Sequence, residues 1–173
     1  EFLAYQLALK AGINMASSKI EKISGKYHTF FTERFDRCNG ERIHFASAMT
    51  LLGHTDGTNF QSGVSYLDMV EFISKNGANV SADLEELWRR IVFYICVSNT
   101  DDHLRNHGFL YTEDGWILSP AFDINANETG TGLKLNIDEV DNSLDIDLVM
   151  NTAPYYLLSD KCASEIKEEV TKA

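Results

Sequence analysis

Apolar side chains recur at helical spacing along several stretches of the chain, which predicts helices there. These stretches are residues 2–10, 43–52, 65–75, a helix that begins at Ser81, 145–151 and 155–172. In the helix from Ser81, apolar residues follow at spacings of three and four, and almost every position from Ile91 to Val97 is apolar. We therefore expect this helix to lie buried at the centre of the fold.

Two other stretches have the alternation and turn residues of β-hairpins. Residues 18–24 and 28–35 flank a turn at Gly25, and residues 109–111 and 116–118 flank the turn 113–115. The stretch 54–63 is rich in Gly, Thr and Asn, which predicts a loop. The order of elements predicts a helix-dominated α+β fold, with residues 1–173 as a single domain.

Composition narrows the possible functions. The chain has 173 residues, is 44% hydrophobic and carries a net charge of −11. It can bury a core, but it is a poor candidate for direct binding of nucleic acid or anionic membranes, which need clustered Lys and Arg. The three scattered cysteines and the lack of a long apolar run indicate a cytoplasmic protein with reduced thiols. The start at Glu1-Phe2, without Met, suggests a piece of a longer protein.

A polar loop, residues 99–107, directly follows the predicted central helix. Asp101 and Asn106 are five residues apart, as are the base and a magnesium ligand of protein-kinase catalytic loops. Asp123 follows the second hairpin and supplies another carboxylate. Because Mg²⁺ prefers oxygen ligands, Asn106 and Asp123 are candidate metal ligands, with Asp101 as candidate general base.

Three motifs together resemble the HipA family of bacterial Ser/Thr kinases, which are toxins of type II toxin–antitoxin pairs. They are Asn99-Thr100-Asp101-Asp102-His103-Leu104-Arg105-Asn106, Leu118-Ser119-Pro120-Ala121-Phe122-Asp123 and Glu33-Arg34-Phe35-Asp36-Arg37. The resemblance covers most of the chain. It implies a kinase-like C-terminal lobe with a hinge hairpin and a catalytic-loop hairpin, and with the N-terminal lobe largely missing.

The resemblance also implies roles for single residues. Asp101 matches the catalytic Asp, and Asn106 and Asp123 match the magnesium ligands. Glu33 and Phe35 match a segment whose backbone meets the adenine of ATP, and Asp36 lies beside the ribose. His103 is assigned only a structuring role. The implied cofactors are ATP and Mg²⁺, and the implied partners are a protein substrate with a Ser or Thr hydroxyl and an antitoxin.

Two parts of a kinase are not recognisable in residues 1–173: a Gly-rich phosphate loop and a strand lysine that pairs with the phosphates. We expect both to lie before Glu1. On that basis we expect the isolated chain to bind ATP no better than about millimolar and to show no measurable kinase activity.

Two other interpretations use the same residues. His103 and His107 are four apart beside Asp101 and Asp102, which could serve a metal-dependent hydrolase. A kinase-like scaffold that binds an antitoxin without turnover is the non-enzymatic alternative, and the acidic charge would suit a basic partner.

Overall fold

The computed structural model describes residues 1–173 as a mixed fold of six α-helices and small antiparallel sheets. The helices are α1 (Phe2–Lys10), α2 (Ala48–Leu51), α3 (Tyr66–Asn76), α4 (Val80–Val97), α5 (Ile146–Thr152) and α6 (Asp160–Lys172). Two 3-10 turns lie at Phe60–Ser62 and Ala153–Tyr156. The strands are β1 (Ser18–Glu21), β2 (Thr29–Thr32), β3 (Arg37–Cys38), β4 (Glu41–Arg42), β5 (Phe45–Ser47), β6 (Gly108–Thr112) and β7 (Gly115–Leu118).

The core is built around α4, as the apolar pattern predicts. Its side chains from Ile91 to Ile95 are all buried, and α3, α5, α6 and β7 pack around it. The indole of Trp88 is also buried and donates to the Val149 carbonyl at 3.2 Å, which joins α4 to α5. The long buried helix therefore gives the polar loop at its C-terminal end a rigid support.

Both predicted hairpins form. β1 pairs with β2 in a two-stranded sheet, with Ser18 opposite Thr32. β6 pairs with β7, with Phe109 opposite Leu118. A further short pair, β3 with β4, forms within residues 37–42, immediately after the first hairpin.

The helix predicted at residues 43–52 is wrong for its first half. Residues Phe45–Ser47 form β5, which pairs with β6 and so makes the second hairpin a three-stranded sheet. Only Ala48–Leu51 is helical, and the Ser47 hydroxyl caps it by accepting from the Thr50 N–H at 3.3 Å. The strand depends on pairing with a segment more than 60 residues away, which local periodicity does not contain.

The helix predicted at residues 155–172 begins later than expected. Pro154 lies in a 3-10 turn, and Leu157 adopts a left-handed conformation with φ 59° that ends this turn. Ser159 then caps α6, which begins at Asp160. None of the helices combines the length and apolar composition that a membrane crossing requires.

Candidate functional site

The polar loop turns sharply away from the end of α4. Ser98 is left-handed, with φ 51°, and its N–H bonds back to the last turn of the helix. Asn99 is buried, and its side-chain oxygen accepts from the backbone N–H of Asn125 at 3.2 Å. The start of the polar loop is therefore joined to the segment that follows Asp123.

The structure brings Asp101, Asn106 and Asp123 together. The Asn106 side chain is buried, and its Nδ2 lies 3.5 Å from the backbone oxygens of both Asp101 and Asp123. The carboxylates of Asp101 and Asp123 belong to exposed residues. Two segments that are more than 15 residues apart in the chain thus meet at the Asn106 amide through their backbone carbonyls.

The backbone at Asp123 is unusual. Its φ is +56°, a left-handed conformation that costs energy for any residue other than Gly, although Asp and Asn tolerate it best. Such conformations persist where the surroundings hold them, and they concentrate at functional sites. Here Asn106 contacts the Asp123 carbonyl, and Asn125 donates to Asp123 Oδ1 at 3.1 Å.

The side-chain oxygens of Asn106 and Asp123 fit a hard cation that phosphate oxygens also coordinate. Asn106 uses its Nδ2 toward carbonyl groups, which leaves its oxygen as a free acceptor. Asp123 has one hydrogen-bond donor on its carboxylate, Asn125. One carboxylate and one amide oxygen, completed by phosphate oxygens and water, are a usual set for Mg²⁺. No group of three or more His, Cys, Asp or Glu side chains in the chain is placed to hold a metal ion.

A buried hydrogen-bond network lies beneath the polar loop. Asp102 Oδ2 accepts from the Tyr66 hydroxyl at 2.6 Å and lies 2.7 Å from His107 Nε2. All three side chains are fully buried. Burial, and then the charge of Asp102, raise the pKa of Tyr66 well above its usual range, so the phenol stays protonated and donates.

This network was not predicted. The sequence contains one signal for it, the presence of Asp102 and His107 five residues apart in the polar loop, but the sequence interpretation places both residues only in the alternative metal cluster. His107 instead bonds to Asp102 in the core, while His103 Nε2 contacts the Arg105 guanidinium at 2.9 Å. The two histidines have separate partners, which leaves the hydrolase interpretation without a metal cluster.

Buried polar groups on α4 set the position of the segment leading to Asp123. Arg90 is almost fully buried and donates to the Ser119 carbonyl at 2.8 Å. Asp83 accepts from the Leu118 N–H at 2.9 Å, and burial raises the pKa of this carboxyl. Arg90 is itself paired with Glu86 at 2.7 Å. These contacts hold the end of β7 on the central helix.

The hinge segment, residues 33–37, lies beside Asp123 and packs against Phe122. The N–H of Glu33 donates to the Ser17 carbonyl at 2.7 Å, which extends the β1–β2 pairing. The Phe35 ring lies 5.7 Å from the Phe45 ring and 5.6 Å from the Phe122 ring. This cluster of three rings fixes the hinge segment against the residue that precedes Asp123.

A cleft of about 350 Å³, the Phe35 cleft, opens beside the hinge segment. It is lined by Glu33, Phe35, Asp36 and Asp123. Three residues predicted to meet a nucleotide therefore share one cleft with a predicted metal ligand.

Asp36 is held by two arginines. Arg34 donates to both carboxylate oxygens at 2.8 and 2.7 Å, and Arg37 donates to one at 2.8 Å. The hydrogen bonds from Arg34 are the largest cause of the low pKa of Asp36, about 2. Asp36 is consequently a fixed anion at the edge of the Phe35 cleft throughout the neutral pH range.

A second cleft, the Asp101 cleft, has a volume of about 240 Å³. It lies between the loop 55–59 and the polar loop, and Asp101, Arg105 and Lys134 are among its lining residues. Asp101 lines this cleft and not the Phe35 cleft, whereas the reverse holds for Asp123. The Asn106 side chain lies between the two aspartates that face the two clefts.

Comparison with known proteins gives a family match over the whole chain. The model of the HipA-like C-terminal domain matches residues 1–173. The Serine/threonine-protein kinase toxin HipA of Shewanella oneidensis is 29% identical over 142 residues, which covers 72% of this chain and 33% of that protein. The chain spans about a third of the length of the curated relatives it matches.

Solved structures show the same fold. HipA of Shewanella oneidensis MR-1, in a complex with HipB and operator DNA, superimposes with a TM-score of 0.82 at 23% identity. The match covers 99% of this chain and 46% of that one. The Helicobacter pylori proinflammatory kinase CtkA gives a TM-score of 0.62 at 11% identity, over 99% of this chain and 80% of that chain.

Proposed function

The chain belongs to the HipA-like C-terminal domain family, and from this membership we propose that it is part of an ATP- and Mg²⁺-dependent protein serine/threonine kinase. The observation that carries the proposal is the convergence of Asp101, Asn106 and Asp123, joined through the Asn106 amide at 3.5 Å from each aspartate carbonyl. A base and two metal ligands are the groups that this half of a kinase site contributes.

Asp101 is the proposed general base. Its residue is exposed and lines the Asp101 cleft, so a hydroxyl group can approach its carboxylate. Asp101 takes the proton from the Ser or Thr hydroxyl of the substrate as that oxygen bonds to the γ-phosphorus of ATP. The bond from the γ-phosphorus to the bridging oxygen breaks, and ADP is the leaving group.

Asn106 and Asp123 are the residues that would hold Mg²⁺, and the ion would supply positive charge against the phosphates of the nucleotide. Asn106 would act through its free amide oxygen and Asp123 through its exposed carboxylate. Asp123 has a left-handed backbone, lines the Phe35 cleft and keeps its carbonyl in contact with Asn106.

The Phe35 cleft is the proposed nucleotide site. Glu33 and Phe35 would offer backbone groups to the adenine edge, and the exposed part of the Phe35 ring would add an apolar surface. Asp36 would accept hydrogen bonds from ribose hydroxyls. Its low pKa supports this role, because a carboxylate that stays ionised can accept from a ribose while Arg34 holds it in place.

The proposed partner is an antitoxin protein, and the proposed compartment is the cytoplasm. The HipA relative is named a toxin, and its solved structure contains HipB and operator DNA. A net charge of −11 on this chain suits a basic partner. The three cysteines are unpaired, as in a reducing compartment.

The experiment is phosphate transfer from γ-labelled ATP by the full-length protein that contains this chain. A protein acceptor should become labelled on Ser or Thr in the presence of Mg²⁺, and addition of a chelator should stop the labelling. Calorimetry on the same sample separates the alternatives. Binding of Mg·ATP with no transfer to any acceptor would favour the scaffold that binds an antitoxin without turnover.

A further inference from the structure

The Phe35 cleft and the Asp101 cleft give the nucleotide and the hydroxyl group of the protein substrate separate places to bind. If the Phe35 cleft holds ATP, a hydroxyl group that reaches Asp101 must come from the side that Asp101 faces, which is the Asp101 cleft. Most of the lining of this cleft is polar, and Met49 and Leu104 are its two apolar residues. A polar cleft of about 240 Å³ fits a short polar segment of a polypeptide rather than a large apolar side chain.

Two cationic residues line this cleft in a chain that is strongly acidic overall. Arg105 lies on the polar loop, and Lys134 comes from a separate segment of the chain. Lys134 is an exposed residue that forms no salt bridge, and its carbonyl accepts from the Phe60 N–H at 2.8 Å, which fixes its backbone. The lining also holds two carboxylates, Asp56 and Asp101. Because Arg105 is paired with Asp56, Lys134 is the cation of this cleft that is left to attract an anion, in a chain with 15 cationic residues against 26 acidic ones.

A carboxylate of the chain itself already binds one of these cations. Asp56, on the loop 55–59, forms an ion pair with the Arg105 guanidinium. The Asp56 side chain is 77% exposed and that of Arg105 is 44% exposed. The contact shows that Arg105 can bind a carboxylate in this cleft, and because the pair is exposed it is weak enough for another carboxylate to displace.

We infer that the Asp101 cleft binds the acceptor segment of the protein substrate and selects an acidic residue next to the Ser or Thr hydroxyl. Arg105 and Lys134 bind the carboxylate of that residue. When no substrate is present, Asp56 forms an ion pair with Arg105 instead. This inference rests on the proposed kinase function, since it assigns the hydroxyl to Asp101.

The test measures binding of fluorescein-labelled peptides to the full-length protein by fluorescence anisotropy, at low salt and without ATP. The peptides are Gly-Asp-Ser-Asp-Gly and its matched forms with Asn or Lys in place of both Asp residues. We expect the Asp peptide to bind about three- to tenfold more tightly than the Asn peptide, as partly exposed charge pairs give. The Lys peptide should bind more weakly than the Asn peptide.

Three variants test whether residues of the Asp101 cleft cause the preference for the Asp peptide. Lys134→Glu should remove the preference for the Asp peptide. Lys161→Glu makes the same charge change on α6, where the side chain is 85% exposed and lies outside the Asp101 cleft, and it should leave the preference intact. Asp56→Asn keeps the side-chain oxygen that accepts from the Gly57 N–H but removes the competing charge. It should raise affinity for the Asp peptide about two- to threefold and not for the Asn peptide.

Equal binding of the Asp and Asn peptides overturns the inference, and so does an equal effect of Lys134→Glu and Lys161→Glu. Phosphate transfer to protein acceptors is measured separately on the same proteins. Transfer without an Asp preference refutes the acidic selection and leaves the kinase proposal standing. An Asp preference without transfer refutes the kinase proposal and leaves an anion-selective cleft.

Discussion

The polar loop and the hinge segment contribute the two sides of the candidate site, and they are held in place in opposite ways. Beneath the polar loop, Asp102, His107 and Tyr66 form a fully buried hydrogen-bond network. In the hinge segment the Asp36 carboxylate is also buried, but Arg34, which donates to it, has its own side chain largely in solvent. The other support of the hinge segment is the packing of Phe35 on two neighbouring rings.

This difference affects how firmly the side chains of each region are held. Buried networks are rigid, because an unpaired polar group in the core is costly and every member must keep its partner. Surface ion pairs are weak and can exchange with solvent or a ligand. The proposed base and metal ligands are therefore placed by the core itself, whereas in the hinge segment the exposed Arg34 side chain can move when a ligand arrives.

The largest expected effect is at Asp123, where the two regions meet. Asp123→Ala removes the carboxylate proposed to hold the metal and should abolish turnover and weaken Mg·ATP binding. Asn106→Ala should act in the same direction but less severely, because an amide oxygen is a weaker ligand than a carboxylate. Calorimetric titration with Mg·ATP measures both. Unchanged affinity in Asp123→Ala would place the metal elsewhere.

The next effect is at Asp101, on the exposed side of the polar loop. Asp101→Asn in the full-length protein should lower the rate of phosphate transfer by about 10²–10⁴-fold, the usual contribution of a general base. Affinity for the nucleotide should change little, because Asp101 lines the other cleft. A variant that phosphorylates its acceptor at nearly the original rate would show that Asp101 is not the base.

Variants of two adjacent aspartates, the buried Asp102 and the exposed Asp101, test the contrast between the two sides of the polar loop. Asp102→Ala leaves the Tyr66 hydroxyl and His107 Nε2 without their acceptor in the core. It should lower the free energy of unfolding by about 2–6 kcal/mol, since it leaves two buried groups unpaired and each costs about 1–3 kcal/mol. Asp101→Ala, one position earlier but exposed, should change it by less than about 0.5 kcal/mol. Urea unfolding of both variants decides whether the network supports the loop.

The smallest expected effect concerns the pH response of the hinge segment. The pKa of Asp36, about 2, lies below the ordinary value of an aspartate, about 3.9, so its ionised form stabilises the fold above pH of about 4. This contribution should disappear as the pH falls from about 4 to about 2. Arg34→Gln should raise the pKa of Asp36, and the control Arg42→Gln should not. NMR of the Asp36 carboxyl carbon as a function of pH measures this pKa in both variants. An unchanged pKa in Arg34→Gln would show that Arg34 does not hold Asp36.

Much of the site was predictable because its signals are local. The five-residue spacing of Asp101 and Asn106, and the hairpin that separates them from Asp123, are present in the sequence as short-range patterns. The three residues do converge, and Glu33, Phe35 and Asp36 do share a cleft with Asp123. The ligands and reaction assigned to them stay predictions, which the experiments above address.

The sequence by itself determined the order of the main elements, the buried central helix and the acidic composition, since each depends on residues close together in the chain or on totals. Tertiary structure alone decided that β5 pairs with β6, that Tyr66 reaches Asp102 from 36 residues away, and that Asp56 meets Arg105. These contacts form only when distant segments pack together. The free energy that selects them comes from burial and from pairing polar groups in the core, which no local pattern records.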